Sequence, residues 1–518
     1  MDRNEIIRFL NLTDNDLELL EKYEIDIHTI KKQFDQLIEG TKFIKLNRAC
    51  IIDDGVRKID ENKKLELIKT QEEYCKEKRV GKFVPASGAA SRMFKELESF
   101  LNSDKNVTLY QIRTDDKYEY ILRFFDRLED FAFYDDLNFV LSQSGLNLTH
   151  LKTENNFKTI LEYLLTEKGL NYSNLPKALI KFHCYEKEKR TSFEEQVVEA
   201  INYIKDTDSE VNLHFTISPE MIERFEAEKK YLIEKYSGKN KLNISFSFQN
   251  KSTDTIALDV DNNLFKEDEE LLFRPGGHGA LIKNLNELNH DLVYIKNIDN
   301  VQREENLALT VEHKKLIGGL LIQVQKKIHS YLKKLEIGND KEYLSEIIEF
   351  INQELGYDYT WDDNLSVEQI KNRIITFLNR PIRVCGVVVN EGHPGGGPFW
   401  VENIDRTLSK QIVESGQIDK GNPEQVRIFE TSTHFNPVDL ACSLRDFKGN
   451  KFDLTKFVDN SAVFVADKSQ SGRELKALEL PGLWNGAMAH WITIFVEVPK
   501  ETFTPVKEAN DLLHDYHL

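Results

Sequence analysis

Residues 271–301, LLFRPGGHGALIKNLNELNHDLVYIKNIDNV, contain three patterns in succession. Gly276-Gly277-His278-Gly279 predicts a tight turn, because backbone at positive φ or close to a ligand needs residues without a Cβ. Leu281, Leu285 and Leu288 then recur at helical spacing over residues 280–289. Leu292-Val293-Tyr294-Ile295 predicts a buried strand that runs into the polar cluster Lys296-Asn297-Ile298-Asp299-Asn300. A glycine turn that offers N–H groups to an anion, and an aspartate at the carboxyl end of a strand, are the parts of a phosphate and metal site. Taken alone, a glycine-rich turn is more often purely structural.

A second stretch, residues 80–95, VGKFVPASGAASRMFK, has the same construction. A strand ends at Phe83-Val84-Pro85-Ala86, residues 87–90 form a small-residue loop, and a helix is expected from Ser91. A loop of small side chains before a helix N-terminus can cradle phosphate. No Gly-Lys-Ser/Thr closes it, so it is not a Walker A loop.

The first stretch resembles the UDP-sugar pyrophosphorylases, which join a nucleoside triphosphate to a sugar 1-phosphate. The second resembles the signature loop of the wider sugar nucleotidyltransferases. The resemblance implies nucleotide contacts at Ser87, Gly88, Ala89, Gly277, His278 and Gly279, a phosphate role for Arg92, and Mg²⁺ held by Asp299. Met93 matches the signature's methionine, whereas Ala90 replaces its second glycine. The Pro-Lys that normally follows within a few residues stands instead at Pro176-Lys177. The signature is therefore expected to be split by a helical insertion, with Lys177 returning beside Arg92 as a second catalytic cation. Outside the resemblance, Lys177 would be a surface lysine after a turn proline. Phe246-Ser247-Phe248-Gln249 resembles the strand that precedes the family's GHG loop, which assigns Gln249 to the base, with strand capping as the other reading. The strand at residues 383–389, the Val401-Glu402 pair and Asn485 resemble sugar-side elements, implying sugar contacts at Gly386, Glu402 and Asn485. No second aspartate for the metal is visible.

Strand and helix patterns alternate over residues 81–93, 175–301 and 383–495, which predicts an α/β fold. Its sheet is expected to be doubly wound, mixed and mainly parallel, like that of the nucleotide-diphospho-sugar transferases. The expected organisation is a helical segment over 1–80, an α/β domain over 81–499 with helical insertions at about 97–172 and 302–380, and a peripheral tail over 500–518.

The 518 residues carry a net charge of −18, which argues against nucleic acid or an anionic membrane surface as partner. The hydrophobic fraction of 40% is that of a folded chain. Five scattered cysteines without C-x-x-C spacing predict reduced thiols and a cytoplasmic protein, and the first residues lack a signal-peptide pattern. The expected partners are a nucleoside triphosphate, UTP favoured, and a sugar 1-phosphate, with uridylyl transfer releasing pyrophosphate. Two alternatives stay open: a non-catalytic nucleotide-sugar-binding protein on the same fold, and a metal-dependent hydrolase built from His278, His393, His434 and His490.

Overall fold

Val80–Pro85 and Leu292–Lys296, the strands that lead out of and into the two motif stretches, pair in parallel, with Val80 opposite Leu292 and Phe83 opposite Ile295. Leu292–Lys296 is buried at every position and Val80–Pro85 at all but its last, as the near-continuous apolar runs require of strands covered on both faces. The structure, a computed structural model, describes residues 1–103, 107, 109–338, 341–360, 364–392 and 395–518. The chain divides into two units, one of residues 1–83, 247–295 and 313–500, the other of residues 84–246, 296–312 and 501–518.

In the first unit the main sheet runs in the order Ile51–Ile52, Gly55–Arg57, Ile492–Glu497, Ile382–Val389, His434–Ser443, Leu292–Lys296 and Val80–Pro85. Gly55–Arg57 pairs in parallel with Ile492–Glu497, and Ile492–Glu497 with Ile382–Val389. His434–Ser443 runs antiparallel to Ile382–Val389. The sheet is mixed with a parallel core, as the alternating strand and helix patterns predict. Smaller sheets join Leu46–Ala49, Gly397–Glu402 and Leu408–Val413, and Phe273–Arg274, Thr255–Leu258, Arg473–Glu479 and Phe464–Gln470. The helices Lys341–Gln353 and Val367–Leu378 belong to this unit. The latter begins on a Ser366 capping box that satisfies its first free N–H groups.

In the second unit, Glu210–Thr216 and Lys241–Ser247 are neighbours in the sheet. Ala86, just past the end of Val80–Pro85, donates its N–H to the Thr216 carbonyl at 2.8 Å. Helices from Lys95–Leu101 to Phe157–Leu165 follow, and among the described residues of 95–174 there is no strand. Their core is aromatic: Phe125 stacks on Phe157 at 4.1 Å and Phe131 on Phe133 at 4.9 Å. Offset ring pairs of this kind add to the area they bury, by about 1 kcal/mol each.

Two expectations fail. The first 80 residues are not wholly helical. Leu46–Ala49 pairs with Gly397–Glu402, and Ile51–Ile52 and Gly55–Arg57 extend the main sheet. These strands are two to four residues long, too short for a two-residue period to stand out from the charged helices around them. The last residues are not peripheral either. Val506, Ala509, Leu512 and Leu513 are at most 3% exposed and join the core of the second unit's helices. Two apolar pairs among polar residues gave no periodic signal.

Candidate functional site: a loop and two lysines on Asp299

Several of the candidate residues lie in the second unit. The Ser87–Ala90 loop leaves its strand and is held from two sides. Ser218 Oγ donates to the Ser87 carbonyl at 3.2 Å. Lys177 N–H donates to the Gly88 carbonyl at 3.2 Å and Ala90 N–H to the Leu175 carbonyl at 2.9 Å, with Ala89 and Pro176 forming an antiparallel bridge. Residues 175–177 are thus laced to the loop from which some eighty residues separate them, which is the contact that a split signature requires. Gly88 is exposed, and a Cβ built on it would meet nothing within 4 Å among the described residues. Arg92 is exposed at the end of the short 3-10 turn Ala90–Arg92.

Lys177 opens a 3-10 turn, Lys177–Leu179, whose first carbonyl accepts from Ser192 Oγ at 3.0 Å. Its ammonium group reaches Asp299 Oδ2 at 3.0 Å and the Val506 carbonyl at 2.8 Å. Asp299 follows the strand Leu292–Lys296 as expected. The same Oδ2 accepts from a second ammonium group, that of Lys507, at 3.2 Å. Burial works to raise the Asp299 carboxyl, yet the Lys507 and Lys177 charges beside it prevail and hold it below the ordinary carboxylate range. Lys507 was not legible as a site residue, because it sits in the stretch that reads as a tail. It is brought here by pairing: Val506 N–H donates to the Asp299 carbonyl at 3.0 Å, Thr504 N–H to Asn300 Oδ1 at 3.1 Å, and Ala509 N–H to the Met93 carbonyl at 3.1 Å. Asp511 Oδ2 accepts the Lys507 N–H at 2.7 Å and closes the turn that presents the lysine.

The backbone just before the aspartate is held by Gln196, whose amide donates to the Asn297 carbonyl at 2.8 Å, and by the buried pair of Lys296 and Glu199. Among the described residues no three His, Cys, Asp or Glu side chains form a cluster able to hold a metal ion. A single carboxylate is within the number that magnesium takes from a protein, since that ion completes its shell with phosphate oxygens and water.

In the first unit, Gly277 has φ +76°, a backbone that only glycine adopts readily, and a Cβ on Gly279 would lie 2.1 Å from the Pro481 carbonyl oxygen. The GGHG stretch is therefore a tight turn pressed on residues 480–481, and it leads into a 3-10 turn and the short helix Ile282–Glu287. His278 Nδ1 accepts from the Leu483 N–H at 3.1 Å, and the ring stacks on Trp484 at 4.4 Å. Burial lowers its pKa to about 4, so it is neutral near pH 7 and carries its proton on Nε2. Gln249 donates to Asp254 Oδ1 at 3.3 Å. Asn485 spends its amide N–H groups on the Ile412 carbonyl and Gln417 Oε1, both at 3.1 Å. Glu402 pairs with Lys45 at 2.9 Å. Gly386 is buried in its strand opposite Asp439.

Near Gly386 the structure shows a feature without a sequence signal. Val438, in the strand His434–Ser443, is buried at φ +58°, a costly conformation for a β-branched residue. Its N–H is accepted by Asn436 Oδ1 at 3.3 Å, while Asn436 Nδ2 is buried without a partner among the described residues. Of the histidines proposed for a hydrolase, His434 bonds Glu497 at 3.0 Å, His490 is exposed, and His393 lies outside the described residues.

An α/β chain with a small-residue loop laced to residues 175–177 and a lysine-bound aspartate is the class that fold and site define. A family model described as a domain of unknown function, DUF4301, matches residues 13–518, and the chain belongs to that family. No curated protein matches it. Solved structures that resemble it include UDP-glucose pyrophosphorylase from Leishmania major in complex with UDP-glucose, at 12% identity and TM-score 0.43, covering 97% of this chain and 79% of that one. The uridine diphosphate N-acetylglucosamine pyrophosphorylase from Trypanosoma brucei, in complex with an inhibitor, is another, at 12% identity and TM-score 0.48, covering 99% and 81%. Among the described residues no helix is long and apolar enough to cross a membrane.

Proposed function

We propose that the protein transfers a nucleotidyl group, uridylyl by preference, from a nucleoside triphosphate to a sugar 1-phosphate. The observation that carries this reading is the convergence of Lys177 and Lys507 on Asp299, with the Lys177 backbone laced to the Gly88 loop. A sugar 1-phosphate oxygen attacks the α-phosphorus, the bond to the β-phosphate breaks, and pyrophosphate leaves. The nucleophile is ionised at neutral pH and needs no general base. The protein's task is to bring two anions together and neutralise the charge that builds on the α-phosphate. Two ammonium groups held by one carboxylate, and an exposed arginine with a planar fork, are suited to that task. Asp299 holds both lysine side chains in place, and the Ser87–Ala90 loop offers backbone to phosphate. Magnesium, when bound, would add charge neutralisation at the phosphates with Asp299 as its protein donor. The resemblance assigns Gln249, Gly277, His278 and Gly279 to the nucleotide, and Gly386, Glu402 and Asn485 to the sugar.

The test is a screen of the purified full-length chain with the four nucleoside triphosphates, a panel of sugar 1-phosphates and Mg²⁺, read as pyrophosphate release. Release that needs both substrates, fastest with UTP, is expected. Faster turnover of GTP or dTTP would correct the base, and no release with any pair would refute the reading.

A further inference from the structure

Lys177 and Lys507 share one carboxylate oxygen but are held very differently. The Lys177 side chain is 13% exposed and has a second fixed acceptor in the Val506 carbonyl. The Lys507 side chain is 58% exposed, and among the described residues Asp299 is the one hydrogen-bond partner of its ammonium group. Leaving Asp299 would strand a carbonyl in the first case. In the second it returns a flexible, solvated chain to water, and the buried Asp299 keeps Lys177 as its partner.

We propose that Lys507 is a displaceable counter-ion that keeps divalent cations off Asp299 until phosphate oxygens draw it away. A cation bound to Asp299 needs an oxygen lone pair. Oδ2 already carries two ammonium groups, whose positive charge opposes any further cation at the carboxylate. Phosphate oxygens arriving over the exposed face offer Lys507 an equal or better acceptor, and its stem lets it move to them. Asp299 then loses one of its two compensating charges, and its affinity for a divalent ion rises. The nucleotide and the cation thus bind cooperatively through the movement of one side chain. The identity of the phosphate ligand rests on the transferase reading, whereas the exclusion of the cation rests on the geometry around Asp299 alone.

Mn²⁺ serves as the probe, and its binding to the full chain is followed by water-proton relaxation. Without nucleotide, Lys507→Met should bind Mn²⁺ about tenfold more tightly than the wild type, the effect of removing one nearby, half-exposed positive charge. Lys507→Arg should stay close to the wild type, and Asp299→Asn in the Lys507→Met background should abolish the gain. Addition of UDP should tighten Mn²⁺ more in the wild type than in Lys507→Met, because only the wild type has a counter-ion to move. An unchanged affinity in Lys507→Met, with its melting curve preserved, would overturn the proposal, as would equal tightening by UDP in both proteins. Failure of the transferase reading shows separately, as absent pyrophosphate release alongside intact Mn²⁺ effects.

Discussion

Replacing Lys177 by Met removes the ammonium group while keeping most of the stem. In the folded protein two bonds are lost, one to Asp299 at 3.0 Å and one to the Val506 carbonyl at 2.8 Å. Asp299 keeps Lys507, so no isolated charge is buried, and the stability cost should be about 2 kcal/mol, that of a charge-assisted bond with partial compensation. The chemical cost is larger. A preorganised positive group aimed at charge developing on phosphate contributes about 3–4 kcal/mol to the transition state, by analogy with single oxyanion donors. Turnover should therefore fall by about two to three orders of magnitude. The assay is pyrophosphate release at saturating substrates, with circular dichroism and a denaturant titration to confirm the fold. A folded Lys177→Met protein with turnover within about threefold of the wild type would refute the reasoning and leave Lys177 a structural staple between the Gly88 loop and the C-terminal segment.

Two glycines should separate packing from function: Gly279→Ala puts a Cβ 2.1 Å from a backbone oxygen and should cost about 2 kcal/mol or more in unfolding experiments. Gly88→Ala meets nothing within 4 Å among the described residues, so its stability should stay within about 0.5 kcal/mol while calorimetric nucleotide affinity drops, and a large loss of stability would contradict the open loop. Lys410 is buried with its ammonium on the Leu355 carbonyl at 2.7 Å, and burial, reinforced by Arg57, lowers its pKa to about 7. Between pH 7 and its ordinary value of 10.5 the unfolded chain binds a proton that the folded chain does not, so this residue makes stability rise with pH. Denaturant titrations of wild type and Lys410→Met should therefore diverge by about 2 kcal/mol from pH 7 to pH 9, in favour of the wild type, and a constant difference would show that Lys410 stays charged.

The parts of the fold that were legible are those whose pattern is local and strong. Leu292-Val293-Tyr294-Ile295 has no reading other than a buried strand, and it pairs with Val80–Pro85 at the centre of the α/β architecture. The helices of residues 95–174 announce themselves through Ile121, Phe124, Phe125 and Leu128 at helical spacing, all buried. The contact of Lys177 with the Gly88 loop is not local, and was reached only through the resemblance that places a Pro-Lys after a glycine loop. Lys507 had no such guide. Thr504-Pro505-Val506-Lys507 reads as a short polar connection, and what makes it part of the site is the pairing of residues 504–506 with residues 299–301. Pairing partners two hundred residues apart leave no mark in either segment. The strained Val438 was invisible for another reason, since a valine in a buried strand predicts an extended backbone.

The claim at the centre of this account is chemical: the lysine-bound Asp299 serves nucleotidyl transfer rather than mere binding of a nucleotide-sugar. The reverse reaction tests it most directly. Purified protein is incubated with UDP-glucose or UDP-N-acetylglucosamine, pyrophosphate and Mg²⁺, and the formation of UTP is followed by chromatography. The account predicts UTP and the free sugar 1-phosphate in equal amounts, and a hundredfold or greater loss of rate in Lys177→Met, an effect of about 3 kcal/mol. UDP-sugar bound tightly by the wild-type protein, with no UTP formed from any sugar tested, would contradict it.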